Sequence, residues 1–71
     1  MQVFCKDAFR KARKAEGLTQ RALGEAIGTT EQHVQLWEYG KRTPSADYLL
    51  RAMILLNCTP SDLLTEPDAQ H

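Results

Sequence analysis

Apolar residues recur along this chain at steps of three and four, the spacing that lines one face of a helix. Phe4, Cys5, Ala8, Phe9, Ala12 and Ala15 keep this step, and Gly17 follows them. The pattern predicts a first helix from Val3 to Glu16, with Gly17 at the position after its end. A second helix is expected from Gln20 to Ile27, with Ala22, Leu23, Ala26 and Ile27 inward and Gly28 ending it. Thr19 caps it, since its hydroxyl can accept from an orphan backbone N–H. A third helix occupies residues 30–39, opened by Thr30 and closed by Gly40. KRTPS, residues 41–45, reads as a loop, because Pro44 disfavours helix just before itself. Ser45 caps a fourth helix from Ala46 to Leu56, and Asn57 ends it. Thr59 caps a short fifth helix, Pro60 to Leu64, with proline at its first position. No β propensity accumulates anywhere, so no strand is expected. The expected fold class is all-α, a compact five-helix bundle.

The third helix is unusual. Val34 and Trp37 share one narrow apolar face, and Gln32, Gln35 and Leu36 lie opposite. Helices that face only water usually carry Lys and Glu at salt-bridging spacing. This one carries amides, a histidine and a leucine. His33 stands one turn before Trp37, a position that suits packing or an outward contact. Glu38 falls beside Val34, at the edge of the buried stripe, and a partly buried carboxylate needs a partner. The second helix also has an odd residue, Gly24. Glycine inside a helix costs up to about 1 kcal/mol against alanine, so a neighbouring backbone is expected to approach it closely. Only about three residues join these two helices, the short glycine-containing link of a helix-turn-helix.

Seventy-one residues make one domain, 1–64, followed by the polar tail TEPDAQH, 65–71. A chain this short buries only about 60% of its unfolded surface. No apolar run reaches the roughly 18 residues of a membrane span, and none near the N-terminus has signal-peptide length. A cytoplasmic protein is expected. Cys5 and Cys58 have no CxxC spacing and read as buried, reduced thiols. No paired carboxylates, Ser/His/Asp set or Gly-rich phosphate loop argues for an enzyme. His33 and His71 have no metal-ligand companions, and no cofactor, metal or small-molecule ligand is expected. Net charge is zero, yet residues 1–21 hold six cations against two carboxylates and residues 22–71 hold three against seven. The N-terminal part is therefore basic, and long-range attraction to a polyanion is weak for the whole. In the fourth helix Leu49, Ala52, Met53 and Leu56 suffice for the core. Leu50 and Ile54 then belong either to a broad core-facing stripe or to a protein-contact patch.

Residues 17–64 resemble the DNA-binding domain of the phage repressor and Cro family, the lambda repressor-like, XRE-type helix-turn-helix proteins. The matching elements are the opening LTQ, Gly28, the Thr29–Thr30 start of the third helix, WEYGKRTP and the ending NCTPSDLL. The resemblance implies a sequence-specific transcriptional regulator, a repressor, whose third helix lies in the major groove of double-stranded DNA. It implies base reading by Glu31, Gln32, Gln35 and Leu36. Gln32 leads, because an amide can be bidentate to adenine. Phosphate contacts are expected from Arg10, Gln20, Thr30, Lys41, Arg42 and Thr43. The family pattern pairs Glu38 with a first-helix arginine, here Arg13, as a buried structural ion pair. It also implies a homodimer on a palindromic operator, formed in solution or only on DNA, through Pro60, Asp62 and Leu64. Asp62 departs from the pattern, because relatives often place an aromatic there. The alternative is a protein-interaction module on the same fold, antitoxin-like or partner-dependent.

Overall fold

The computed structural model describes residues 3–65. Its elements in order are β1 (Val3–Phe4), α1 (Lys6–Ala15), α2 (Gln20–Ile27), α3 (Glu31–Glu38), α4 (Ala46–Leu56), α5 (Pro60–Leu63) and β2 (Leu64–Thr65). Five helices stand where the apolar spacing puts them. Of the expected polar tail only Thr65 is described, and residues 66–71 lie outside the described residues.

The two ends of the chain differ from expectation. The first helix begins at Lys6 instead of Val3, and the fifth stops at Leu63 instead of Leu64. Val3 pairs with Thr65 and Phe4 with Leu64 in a short antiparallel ribbon. The Cys5 N–H then donates to the Leu63 carbonyl at 2.7 Å. The first N–H groups of a helix lack intrahelical partners, and here partners come from the far end of the chain. Counting steps of three and four along one segment cannot reveal such a pairing. Phe4 keeps its apolar role, its ring 5.3 Å from that of Phe9.

Four helices close in the same way. Gly17, Gly28, Gly40 and Asn57 take left-handed φ values of 71, 87, 79 and 56°. Behind each, the next amide reaches back five residues: Leu18 to Arg13, Thr29 to Gly24, Lys41 to Leu36 and Cys58 to Met53. These bonds satisfy carbonyls that the helix ends would leave open. At the starts, Thr19, Thr30 and Ser45 accept the N–H of Ala22, His33 and Tyr48.

The core gathers Phe9, Leu23, Ile27, Val34, Trp37, Ala52, Leu56 and Leu63. Trp37 stands at its centre, 6.1 Å from the Phe9 ring edge-on and 5.8 Å from Tyr48. Ala15 and Ala26, read as inward, are exposed. On α2 the buried face is only Leu23, Gly24 and Ile27, which leaves Ala26 on the flank toward α4. Cys5 and Cys58 are half-buried and unlinked. Burial pushes the Cys58 thiol up, and the Asp62 and Glu16 charges add to this, so it stays protonated.

Candidate nucleic-acid interface

The turn between α2 and α3 is built on backbone contact. A Cβ added to Gly24 would lie 2.9 Å from the carbonyl carbon and oxygen of Thr30 and 3.2 Å from the Glu31 nitrogen. The entry of α3 thus rests directly on the middle of α2, closer than any side chain there would allow. This is the close approach that offsets the helix penalty of glycine.

The inner face of α3 is Val34, Trp37 and Glu38, all buried. Its first turn, Glu31, Gln32 and His33, is exposed. Gln35 and Leu36, read as outward, are half-buried. After the helix the chain folds back, and the Leu36 carbonyl accepts from the amides of Lys41 and Arg42. Those two bonds pin the basic loop to the C-terminal end of α3. Thr30 at one end and Lys41, Arg42 and Thr43 at the other are exposed, so they bracket the helix. The stem of Lys6 crosses the same end, 3.2 Å from where a Cβ on Gly40 would stand.

Beneath α3 lies a polar network. Glu38 has no exposed surface, and Arg13 is 7% exposed. Arg13 Nε and Nη2 donate to the two Glu38 oxygens at 2.7 and 3.0 Å, a bidentate fork. The third nitrogen, Nη1, donates to the Leu18 carbonyl at 2.7 Å. Gln20 Nε2 donates to Glu38 Oε1 at 3.1 Å. Arg10 donates to the Glu38 backbone carbonyl at 2.9 Å and stands 3.5 Å from Oε1. Burial pushes the Glu38 carboxyl up; the Arg13 and Gln20 hydrogen bonds and the Arg13 and Arg10 charges outweigh it and leave the group below its ordinary value. Glu38 therefore ties α1, α2 and α3 together. Sequence reasoning gave Arg10 and Gln20 to phosphate alone. The structure places both in this network, and only the wheel position of Glu38, which asks for partners, hinted at it.

The packing of His33 on Trp37 that their spacing allows is present, and its Thr29 partner went unread. Thr29 Oγ1 lies 2.6 Å from His33 Nδ1, and the His33 ring stacks on Trp37. The i, i+4 spacing of Thr29, His33 and Trp37 was the available signal.

At the C-terminal end of the fold Pro60 and Asp62 are exposed and Leu64 is half-buried in β2. Asp62 Oδ2 accepts from the Thr59 N–H and hydroxyl at 2.8 and 3.0 Å, bonds that hold its carboxyl below the ordinary range. It closes the start of α5, work an aromatic could not do. A depression of about 450 Å³ lies between the end of α2 and α4, beside Arg51, Ile54 and Leu55. Leu50 and Ile54 are 53% and 74% exposed, so they lie outside the core stripe of α4. Among the described residues no helix is long and apolar enough to cross a membrane, and no group of metal-ligating side chains is gathered.

Two short helices locked at a glycine crossing, the second presenting a polar first turn and followed by a basic loop, define a helix-turn-helix protein. The helix-turn-helix family model matches residues 9–63, and the chain belongs to that family of DNA-binding transcriptional regulators. Solved structures agree. The P22 c2 repressor, in complex with the synthetic operator 9T, is 28% identical, with a TM-score of 0.74 over 79% of this chain and 85% of that one. The restriction-modification controller protein C.AhdI from Aeromonas hydrophila is also 28% identical, with a TM-score of 0.73 over 80% and 86%. Comparison with curated proteins gives no match.

Proposed function

We propose that the chain is a sequence-specific transcriptional repressor that lays α3 in the major groove of its operator. The observation that carries this reading is the exposed polar first turn of α3 on a helix whose other face is fixed in the core by Val34 and Trp37. N-terminal residues of such a helix are the ones that reach base edges. Gln32 is the principal reader, bidentate to adenine. Glu31 accepts from cytosine N4, Leu36 offers its exposed part to a thymine methyl, and Gln35 reaches the groove wall. Thr30, Lys41, Arg42 and Thr43 hold phosphates on either side, with Arg10 and Gln20 adding what their bonds to Glu38 leave free. The P22 c2 neighbour, seen with an operator, supports this arrangement.

The repressor acts as a homodimer that forms on a palindrome, with half-sites about 34–36 Å apart. Pro60, Asp62 and Leu64 form the two-fold surface. Domain 1–64 carries the activity, in the cytoplasm on nucleoid DNA, with no cofactor, ligand or catalysis.

Gln32→Ala is expected to relax preference at one base pair, by about 1–3 kcal/mol. Arg42→Ala is expected to weaken binding to every duplex equally and to lower the slope of log affinity against log salt by about 0.9. Fluorescence anisotropy on operator and scrambled duplexes separates the two. An unchanged preference after Gln32→Ala would remove it as the reader.

The exposed Leu50, Ile54 and Leu55 on α4 favour a second reading, a protein-interaction module. An apolar partner contact keeps its affinity as salt rises, whereas phosphate binding weakens steeply.

A further inference from the structure

We infer that His33 is an additional DNA-contacting side chain of α3, with Thr29 as its positioning residue; this rests on the major-groove reading above. His33 is exposed in the first turn of α3, next to Gln32. About 100° of helical rotation separates the two, which puts His33 on the flank of the outward face, toward Trp37. Exposed side chains are ordinarily free, but this residue is fixed through its backbone and its ring is held at two points. Its own N–H donates to Thr30 Oγ1 at 3.3 Å. Its Nδ1 is 2.6 Å from Thr29 Oγ1. Its ring lies near-parallel to the Trp37 indole, at 17° with centroids 6.5 Å apart. Trp37 is itself immobilised, 4% exposed between Phe9 and Tyr48.

One ring nitrogen and one ring face are thus engaged, and Nε2 is the remaining polar atom. A hydroxyl can donate or accept. When Thr29 donates to Nδ1, the proton of the neutral ring sits on Nε2, which becomes a donor. DNA presents acceptors along the groove wall and floor: phosphate oxygens, purine N7, guanine O6 and thymine O4. Each selects the same tautomer, the one Thr29 supports. The ordering that binding imposes on an exposed side chain is already complete in this fold, so the contact forms with little further loss of freedom. His33 therefore both packs and binds.

The test uses the full chain on the duplex that wild type selects from a random pool. Four proteins are compared: wild type, His33→Phe, Thr29→Val and the double variant. His33→Phe keeps an aromatic ring on Trp37 and removes Nε2, so its thermal melt should match wild type. Its affinity should fall about three- to tenfold, the range of one neutral hydrogen bond. Thr29→Val should weaken binding in the wild-type background and have no effect in the His33→Phe background, a non-additivity that a purely structural role would not produce. Equal loss on all duplexes assigns the acceptor to phosphate, and a relaxed preference at one base pair assigns it to a base edge. Wild-type affinity in His33→Phe, or additive losses, overturns the inference while leaving the major-groove reading intact. A wild-type chain that binds no duplex overturns that reading, and this inference with it.

Discussion

Glu38→Ala is expected to lower the unfolding free energy by about 3–5 kcal/mol, the usual effect of deleting one partner of a buried ion pair. The loss matches that of a large core truncation, about 2–5 kcal/mol, but its cause is the charge that remains. Arg13, 7% exposed, would keep its charge with only the Leu18 carbonyl to bond, the Gln20 amide would lose its acceptor, and Arg10 would keep the residue 38 backbone carbonyl but lose the carboxylate beside it. Arg13→Ala should be milder, since Gln20 and Arg10 still face the Glu38 carboxylate. A domain this small starts from a stability near the low end of about 5–15 kcal/mol, so Glu38→Ala should be partly unfolded at room temperature. Urea titration read by the fluorescence of Trp37, the chain's one tryptophan, measures this directly. A loss under about 1 kcal/mol would show that the pair is not structural. The same group sets the acid limb. Its folded value lies below the ordinary 4.5, so its stabilisation is complete above that value and disappears as pH falls through the lowered one. Glu38→Gln should remove this part of the acid dependence.

Gly24→Ala is expected to destabilise by about 1–3 kcal/mol, even though alanine is the better helix former by up to about 1 kcal/mol. The added carbon would meet backbone atoms of Thr30 at 2.9 Å, and a backbone cannot swing aside as a side-chain end can. For a domain of this size each 1 kcal/mol lowers Tm by about 4–8 °C. DNA affinity should fall as well, because the displaced atoms open the reading helix. Gly17→Ala is the control: nothing lies within 4 Å, and only its left-handed φ is strained. A Gly24→Ala protein that melts at or above wild type would contradict the close crossing.

The helices were legible because each carries its own signals: caps at Thr19, Thr30 and Ser45, and stops at Gly17, Gly28, Gly40 and Asn57. Gly24 was legible through a penalty that demands an explanation. The β1–β2 ribbon was not, since Val3 and Thr65 pair across nearly the whole length of the chain. The half-burial of Leu36 was hidden for a related reason, since a helical wheel carries nothing about neighbouring segments. The wheel placed Glu38 at the edge of the stripe, but the three side chains around it, Arg10, Arg13 and Gln20, come from α1 and α2 and belong to tertiary structure. The exposed Leu50 and Ile54 were left between two readings by periodicity, because α4 is apolar on more than one face.

The most direct test of the central claim is selection of bound duplexes from a random DNA pool, run in parallel with wild type and Gln32→Ala. The account predicts a palindromic consensus for wild type, with half-sites one helical turn apart, and the loss of preference at one symmetric position for the variant. Enrichment of no sequence by folded wild-type protein would contradict it and turn attention to a protein partner on α4.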